Sequence, residues 1–252
     1  MNNPFVSRPP LVTYALIALC VLVFFLVQGV NAQHSEGFAL YLSANPIFHY
    51  WQYLTSMFMH GSIPHLLFNM LALWMFGAAL ERLWGGARFL IFYLLCGIGA
   101  GLIYNFINLY QFNDLTQQLQ SLGLNSEDLQ RLVTKGEYRT DIAGLTEDLV
   151  GKYYLFYNTP TLGASGAIYG ILVAFAFCFP NTKLLFIFLP IPIAAKYFVP
   201  LIIGLDLLSG VTGFSIFGAD NVAHFAHVGG GIVGFILMLL LGRGGQRRLE
   251  YD

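Results

Sequence analysis

Charged side chains are scarce in this sequence. Lys, Arg, Asp and Glu make up 10% of its 252 residues, whereas soluble domains carry about 25%. Hydrophobic residues reach 57%, so the composition excludes a soluble globular protein. The formal net charge is −1. Without an excess of positive charge there is no electrostatic basis for binding nucleic acid, and we predict no nucleic-acid partner.

Cysteine and recognised catalytic motifs are also scarce. Cys20, Cys96 and Cys178 lie in apolar runs without the spacing of metal ligands, so we interpret them as small hydrophobic residues. The H-E-x-x-H zinc motif is missing, which argues against a metalloprotease, and we predict no metal site. Residues 163–167 (GASGA) lack the second glycine of G-x-S-x-G, which disfavours an α/β-hydrolase.

Long apolar runs are what the sequence has in abundance. The first is about 20 residues long, enough to cross ~30 Å of hydrocarbon as a helix and longer than the core of a cleavable signal peptide. The chain therefore predicts an all-α, polytopic membrane protein with six membrane-spanning helices. The predicted spans are 11–30, 64–84, 88–108, 165–180, 197–213 and 222–241.

The positions of Lys and Arg predict the orientation of these spans. With the N-terminus inside, the short outer loops carry no Lys or Arg, and both chain ends lie in the cytoplasm. The outer cations all fall in one polar insert: Arg131, Lys135, Arg139 and Lys152. The inner cations are Arg8, Arg82, Arg88, Lys183, Lys196, Arg243, Arg247 and Arg248. We expect a multi-pass integral membrane protein in contact with membrane lipids.

We interpret residues 1–252 as one membrane domain that carries an extracytoplasmic polar insert at 110–160. The insert holds seven acidic and four basic residues. Leucines recur at helical spacing within it, and Ser126 before Glu127 is typical of a helix start. We therefore expect two or three short amphipathic helices. The sequence leaves open whether the insert is a decoration or handles substrate.

Two polar side chains lie just inside predicted spans, where lipid penalises them. Ser165 begins the fourth span, which has only about 16 residues, or ~24 Å. If its inner end reaches the cytoplasmic surface, Ser165 lies several Å below the outer surface. His227 lies five residues into the sixth span, ~7–8 Å down. Both side chains are therefore predicted at similar depth in the outer leaflet.

Glycines predict that these two spans pack closely. Gly166 and Gly170 form a small-xxx-small pair on the fourth span, and Gly230 and Gly234 form another on the sixth. Such pairs let helix backbones approach each other in lipid. The serine and the imidazole are thus expected within hydrogen-bond distance.

A serine beside an imidazole is the arrangement that nucleophilic catalysis requires. The imidazole takes the hydroxyl proton, and hydrogen-bond donors stabilise the oxyanion that forms. On the second span His65 and Asn69 are four residues apart and face the same side, so both are candidate donors, together with the backbone N–H of Ser165. Tyr169, one turn after Ser165, is predicted to pack on the imidazole.

Other polar residues compete for these roles. His224 is the alternative base, but it lies nearer the surface than His227 and lacks the glycines that follow His227. Asp220 is the acid that could complete a triad, although a loop or helix-cap role is favoured. Asp206 is an intramembrane acid, a functional candidate by default. The sequence offers it no partner, and we expect it outside the site. His60 is interpreted as structural.

Together these motifs resemble the rhomboid intramembrane serine proteases over about 45–109 and 155–241. The pattern of the second span is similar at His60 and at 65–69 (HLLFN). The nucleophile motif is similar at 163–166 (GASG), where Gly163 stands two residues before the serine and Tyr169 follows. The base motif is similar at 226–230 (AHVGG) and continues to Gly234. One departure is Trp51-Gln52, where many members have Trp-Arg.

The resemblance implies a six-span fold with a water-filled cavity that opens to the outside. It implies a Ser165–His227 dyad without an acid, an oxyanion site made by His65, Asn69 and the Ser165 amide, and no cofactor. Substrates would be single-span transmembrane proteins, cut near the outer boundary of the membrane beside small side chains. A non-catalytic relative that binds membrane clients is the alternative. A channel or transporter would need inverted repeats, which we do not see.

Overall fold

The computed structural model describes residues 9–29, 36–186, 189–213 and 223–240. In these ranges the chain is a helical bundle with one small hairpin, which confirms the predicted all-α membrane fold. The helices are α1 (Leu11–Leu22, continued as a π-helix over Val23–Gln28), α2 (Gln52–Thr55), α3 (Ile63–Trp84, with a π-helical segment at Leu73–Gly77), α4 (Gly86–Ser121), α5 (Ser126–Lys135), α6 (Glu147–Asn158), α7 (Ser165–Cys178), α8 (Ala195–Thr212) and α9 (His224–Leu240). Strands β1 (Lys183–Phe186) and β2 (Leu189–Ala194) pair antiparallel between α7 and α8.

Six apolar helices correspond to the six predicted spans. Among the described residues, α3, α4 and α8 are long and apolar enough to cross a membrane by themselves, whereas α1, α7 and α9 are shorter apolar helices. Large apolar side chains cover the outside of the bundle, for example Leu67, Phe106 and Leu239 at 60% exposure or more. Such a surface suits a hydrocarbon solvent.

Helix α4 is longer than the sequence predicted. Its span was expected to end at 108, but the helix has 36 residues and continues to Ser121. At 1.5 Å per residue it measures ~54 Å, so it extends well beyond the hydrocarbon. After residue 108 the sequence has no glycine or proline until Gly123, whose φ is +100°. The first part of the predicted insert is therefore a continuation of the third span.

The rest of the insert has a small core of its own. Helices α5 and α6 pack with the end of α4 around Leu119, Leu132 and Tyr153. Helix α5 begins at Ser126 as predicted, but its capping residue is Asn125, whose side chain accepts from the N–H groups of Glu127 and Asp128. The short helices predicted for the insert are present as α5 and α6, and its first part is the extension of α4.

The departure at Gln52 leaves the first loop well anchored. The Gln52 side chain is fully buried. Its Oε1 accepts from the Tyr41 N–H at 3.2 Å, and its Nε2 donates to the carbonyls of Gly37 and Ile47 at 3.3 and 2.7 Å. An uncharged amide thus satisfies three backbone groups of the loop.

Helix α7 is the centre of the bundle. Nine of its 14 residues are buried, including Gly166, Ile171 and Phe175. It packs against α9 and α4, and α3 and α8 also contact it. At ~21 Å it is short enough to end within the membrane, as the sequence predicted. Ser165 and Tyr169 of the site described next lie on α7, and its other functional side chains lie on helices packed against α7 or, for His60, in the loop before α3.

Candidate active site

A glycine turn brings Ser165 to the start of α7. Gly163 has a φ of +126°, which side chains of L-residues rarely adopt. Its N–H donates to the carbonyl of Ser56 at 2.9 Å. Ser165 follows as the first residue of the helix, so its backbone N–H belongs to the first turn, where no intrahelical acceptor exists.

The predicted glycine pairs bring α7 and α9 into backbone contact. A Cβ atom built at Gly230 would lie 1.8 Å from the carbonyl oxygen of Gly166, and one built at Gly234 would lie 2.6 Å from the Cα of Gly170. No side chain fits between the helices at either level. This approach sets the distance between the groups that the two helices carry.

Ser165 and His227 are in hydrogen-bond contact. His227 Nε2 lies 2.9 Å from Ser165 Oγ. The Tyr169 ring stacks on the imidazole, with centroids 4.3 Å apart and planes inclined by 10°. The structure thus brings together the three residues that the sequence singled out on these helices, and the tyrosine restricts the orientation of the imidazole.

An acidic residue adjoins this pair, contrary to our expectation for Asp206. The sequence offered Asp206 no partner, and we expected it outside the site. In the structure its carboxylate is buried on α8 and contacts three side chains. Oδ1 lies 3.2 Å from His227 Nδ1 and 2.6 Å from His224 Nδ1, and the Tyr169 hydroxyl donates to Oδ2. The partners come from α7 and α9, so only helix packing reveals them.

His224 and Asp220 were the other candidates for the base and for a third catalytic residue. His224 contacts Asp206 through its Nδ1, one helical turn from His227. Asp220 lies outside the described residues. Among the described residues, no group of His, Cys, Asp and Glu side chains has an arrangement suited to a metal ion.

His65 and Asn69 approach the same site from α3. The N–H of Gly61 donates to His65 Nδ1 at 3.3 Å, so a neutral His65 carries its proton on Nε2. A Cβ built at Gly163 would lie 2.8 Å from that Nε2 and 3.7 Å from Ser165 Oγ. Asn69 is buried one turn further on, and its Nδ2 donates to the His65 carbonyl at 2.8 Å.

His60 lies behind His65, as its interpretation as a structural residue suggests. It is fully buried, and its ring meets that of His65 edge-on at 5.2 Å. Burial lowers the pKa of His60 to about 4, with a smaller contribution from nearby His65. The His60 ring is therefore neutral around pH 7 and does not add a charge to the site.

A cavity of about 30 Å³ opens beside Ser165, which is room for about two water molecules. Small residues dominate its wall. They are Gly97, Ala100, Gly101, Gly163, Gly166, Ala167 and Ala226. A small side chain or water can therefore approach the serine from this side.

Comparison with known proteins identifies relatives over most of the chain. The family model "Rhomboid domain" matches residues 48–124 and 139–244. Rhomboid protease GluP of Bacillus subtilis is 29% identical over 243 residues, covering 94% of this chain and 36% of the relative. Rhomboid protease AarA of Providencia stuartii is 28% identical over 203 residues, covering 75% of this chain and 55% of the relative.

A mitochondrial relative, Rhomboid protein 1 of Saccharomyces cerevisiae, is 28% identical over 188 residues, covering 75% of this chain and 42% of the relative. The chain thus spans from about a third to just over half of the length of these relatives. Because the family model matches well over half of the residues, and because the fold is a bundle of apolar helices, this protein belongs to the rhomboid family of integral membrane proteins.

Proposed function

We propose that this protein is an intramembrane serine protease in which Ser165 is the nucleophile and His227 the general base. The observation that carries the proposal is the 2.9 Å contact between His227 Nε2 and Ser165 Oγ. An unactivated hydroxyl is a weak nucleophile, and an imidazole in this position removes its proton as the bond forms. Several relatives are named rhomboid proteases, which supports the same activity.

The proposed reaction is an acyl transfer in two steps, acylation of Ser165 and hydrolysis of the ester. Ser165 Oγ attacks the carbonyl carbon of the scissile peptide bond while its proton passes to His227 Nε2. The C–N bond then breaks, and the imidazolium returns the proton to the leaving amine. Water from the cavity attacks the resulting ester, again with His227 as the base, and releases the acid and Ser165.

Three donors are available to the oxyanion of each step. The Nε2–H of His65 borders the space beside Ser165 Oγ. Asn69 uses one of the N–H groups of its amide for the His65 carbonyl and has a second. The N–H of Ser165 lies in the first turn of α7. Each such donor typically contributes about 3–4 kcal/mol to transition-state stability.

The substrates proposed are single-span transmembrane proteins that are cut near the outer boundary of the membrane. The starts of α7 and α9 carry the proposed site, and the distribution of Lys and Arg supports an orientation with these helix starts outside and both chain ends in the cytoplasm. The membrane proposed is a bacterial inner membrane. The small cavity favours a small side chain next to the scissile bond. No cofactor is required by this chemistry.

The test is labelling with a fluorophosphonate probe, combined with cleavage of a model transmembrane substrate. We expect wild-type protein to be labelled at Ser165 and to cleave, and both Ser165→Ala and His227→Ala to lose labelling and cleavage. Equal cleavage by wild type and Ser165→Ala contradicts the proposal. Client binding without turnover or labelling in wild type favours a non-catalytic rhomboid-like protein instead.

A further inference from the structure

The Asp206 carboxylate is the feature of the bundle that the proposed mechanism leaves unused. It is 9% exposed, in the middle of an apolar helix, where an ionised acid needs partners. Three side chains supply them. Oδ1 faces the Nδ1 atoms of His224 and His227, and Oδ2 accepts from the Tyr169 hydroxyl.

The tautomer of His227 links this carboxylate to the proposed chemistry. A neutral imidazole carries its proton on one nitrogen only. If His227 is to accept the Ser165 proton at Nε2, its own proton must sit on Nδ1. Asp206 Oδ1, at 3.2 Å, is the acceptor that favours this tautomer, and its negative charge stabilises the imidazolium that forms during the attack.

We propose that Asp206 is a positioning residue for His227: it accepts the Nδ1–H of that imidazole, keeps Nε2 directed at Ser165, and stabilises the positive charge on the ring during acyl transfer. This inference rests on the proposed function of the Ser165–His227 pair. We expected a dyad without an acid. The proposal adds Asp206 of α8 as a third residue, hydrogen-bonded to His227.

Tyr169 and His224 hold the carboxylate in place. The Tyr169 hydroxyl bonds Oδ2 while the ring of the same residue stacks on His227, so one side chain fixes both partners of the contact. His224 Nδ1 lies 2.6 Å from Oδ1. The carboxylate can accept one hydrogen bond from each of these three side chains. It can therefore stay ionised although it is buried.

A merely structural role for Asp206, as a tie between α7, α8 and α9, predicts a different result. Loss of such a tie lowers the melting temperature and leaves the chemistry of each folded molecule unchanged. Ser209 gives a matched control, because it is also a buried polar residue on α8, at 3% exposure. Asp206→Ala removes both acceptor oxygens and the charge, whereas Asp206→Asn removes the charge, keeps one acceptor oxygen and replaces the other by an N–H donor.

The experiment measures fluorophosphonate labelling of the full chain over a range of probe concentrations, which separates the maximal labelling rate from probe affinity. We expect Asp206→Ala to lower the maximal rate about 100-fold, Asp206→Asn to lower it at least as much because its amide N–H can face Nδ1 and favour the wrong tautomer, and Ser209→Ala to leave it unchanged. Probe affinity stays the same in all four proteins. A maximal rate within threefold of wild type in Asp206→Ala overturns the proposal, and if that variant does not fold, Asp206→Asn decides by the same criterion.

A spectroscopic measurement tests the positioning role without catalysis. The ¹⁵N chemical shifts of histidine-labelled protein, with His227 assigned from the His227→Ala variant, distinguish Nδ1–H from Nε2–H. We expect Nδ1–H in wild type and a shift toward Nε2–H in Asp206→Ala. An unchanged Nδ1–H tautomer there overturns the inference. Failure of the proposed function itself looks different, since wild type would then not be labelled at Ser165 at all.

Discussion

Gly230 of α9 lies directly against the backbone carbonyl of Gly166 on α7, so that a Cβ atom at Gly230 would stand 1.8 Å from that oxygen. Real Cβ atoms essentially never come within 3.0 Å of such a neighbour. Gly166 directly follows Ser165, and Gly230 lies about one helical turn after His227. The separation of the two helices at this level therefore sets the distance from the hydroxyl to the imidazole.

Gly230→Ala is expected to abolish activity although Ser165 and His227 are intact. The added methyl meets rigid backbone, so α7 and α9 must separate, at a cost of roughly 1–3 kcal/mol or more in stability, and the 2.9 Å contact is lost. Fluorophosphonate labelling and a thermal melt measure the two effects. Gly204→Ala on α8 is the control, because its Cβ meets nothing within 4 Å; equal labelling of both variants contradicts the prediction.

Gly163→Ala is expected to lower the labelling rate at least tenfold. Its φ of +126° is strained for alanine, and its Cβ would lie 2.8 Å from the His65 ring, which moves a proposed oxyanion donor. Gly61→Ala is the matched control in the same region, since its Cβ comes no closer than 3.7 Å to a neighbour. Similar rates in both alanine variants would show that the space at Gly163 is not needed.

His65→Ala is expected to lower the turnover number for a transmembrane substrate by about 10²–10³-fold, as loss of one oxyanion donor does elsewhere. The Michaelis constant changes little, because the donor acts mainly on the transition state. His49→Ala is the control, because His49 is exposed and stacks on Trp51. A raised Michaelis constant with an unchanged turnover number would assign His65 to substrate binding instead.

His60 is expected to make the protein less stable in acid. Its pKa is about 4 in the folded state against an ordinary value of 6.5. Between these values the unfolded chain takes up a proton that the folded chain does not, so the free energy of unfolding falls as the pH decreases from about 6.5 to about 4. Denaturation in micelles at several pH values measures this, and His60→Asn should show a shallower decrease. If the free energy of unfolding depends on pH identically in wild type and His60→Asn, His60 is not the cause of the loss of stability in acid.

Glu81→Gln is expected to weaken the anchoring of α1 and to lower the free energy of unfolding by about 2 kcal/mol. The Glu81 carboxylate is buried and accepts from the N–H groups of Val12 and Thr13 and from the Thr13 hydroxyl, at 2.7–2.9 Å. An amide carries no charge and offers only one acceptor oxygen to these donors. A thermal melt compares the variant with Glu36→Gln, which changes an exposed carboxylate; equal melting temperatures for the two variants would disprove the anchoring role.

The β1–β2 hairpin and the length of α4 are two features that the sequence patterns did not predict. Residues 183–194 are apolar and rich in proline, and no alternation distinguishes a strand pair from a loop there. In α4 apolar residues continue at helical spacing beyond the predicted end of the span. These residues do not face lipid but pack against α5 and α6 of the insert. Packing against α5 and α6 stabilises the extension of α4, whereas the hairpin is mostly exposed, with Leu185 at 63% and Ile191 at 54%.

The sequence by itself determined the membrane-spanning class, the six apolar helices, and the pairing of Ser165 with His227. Hydropathy is a local property, and glycines spaced four residues apart in apolar helices favour close helix packing in lipid. Only the tertiary structure decided the place of Asp206. Its three partners lie 18 to 37 residues away along the chain, on two other helices. The rotation of a helix about its axis follows from packing against all of its neighbours, and that rotation turned an isolated intramembrane acid toward the imidazole.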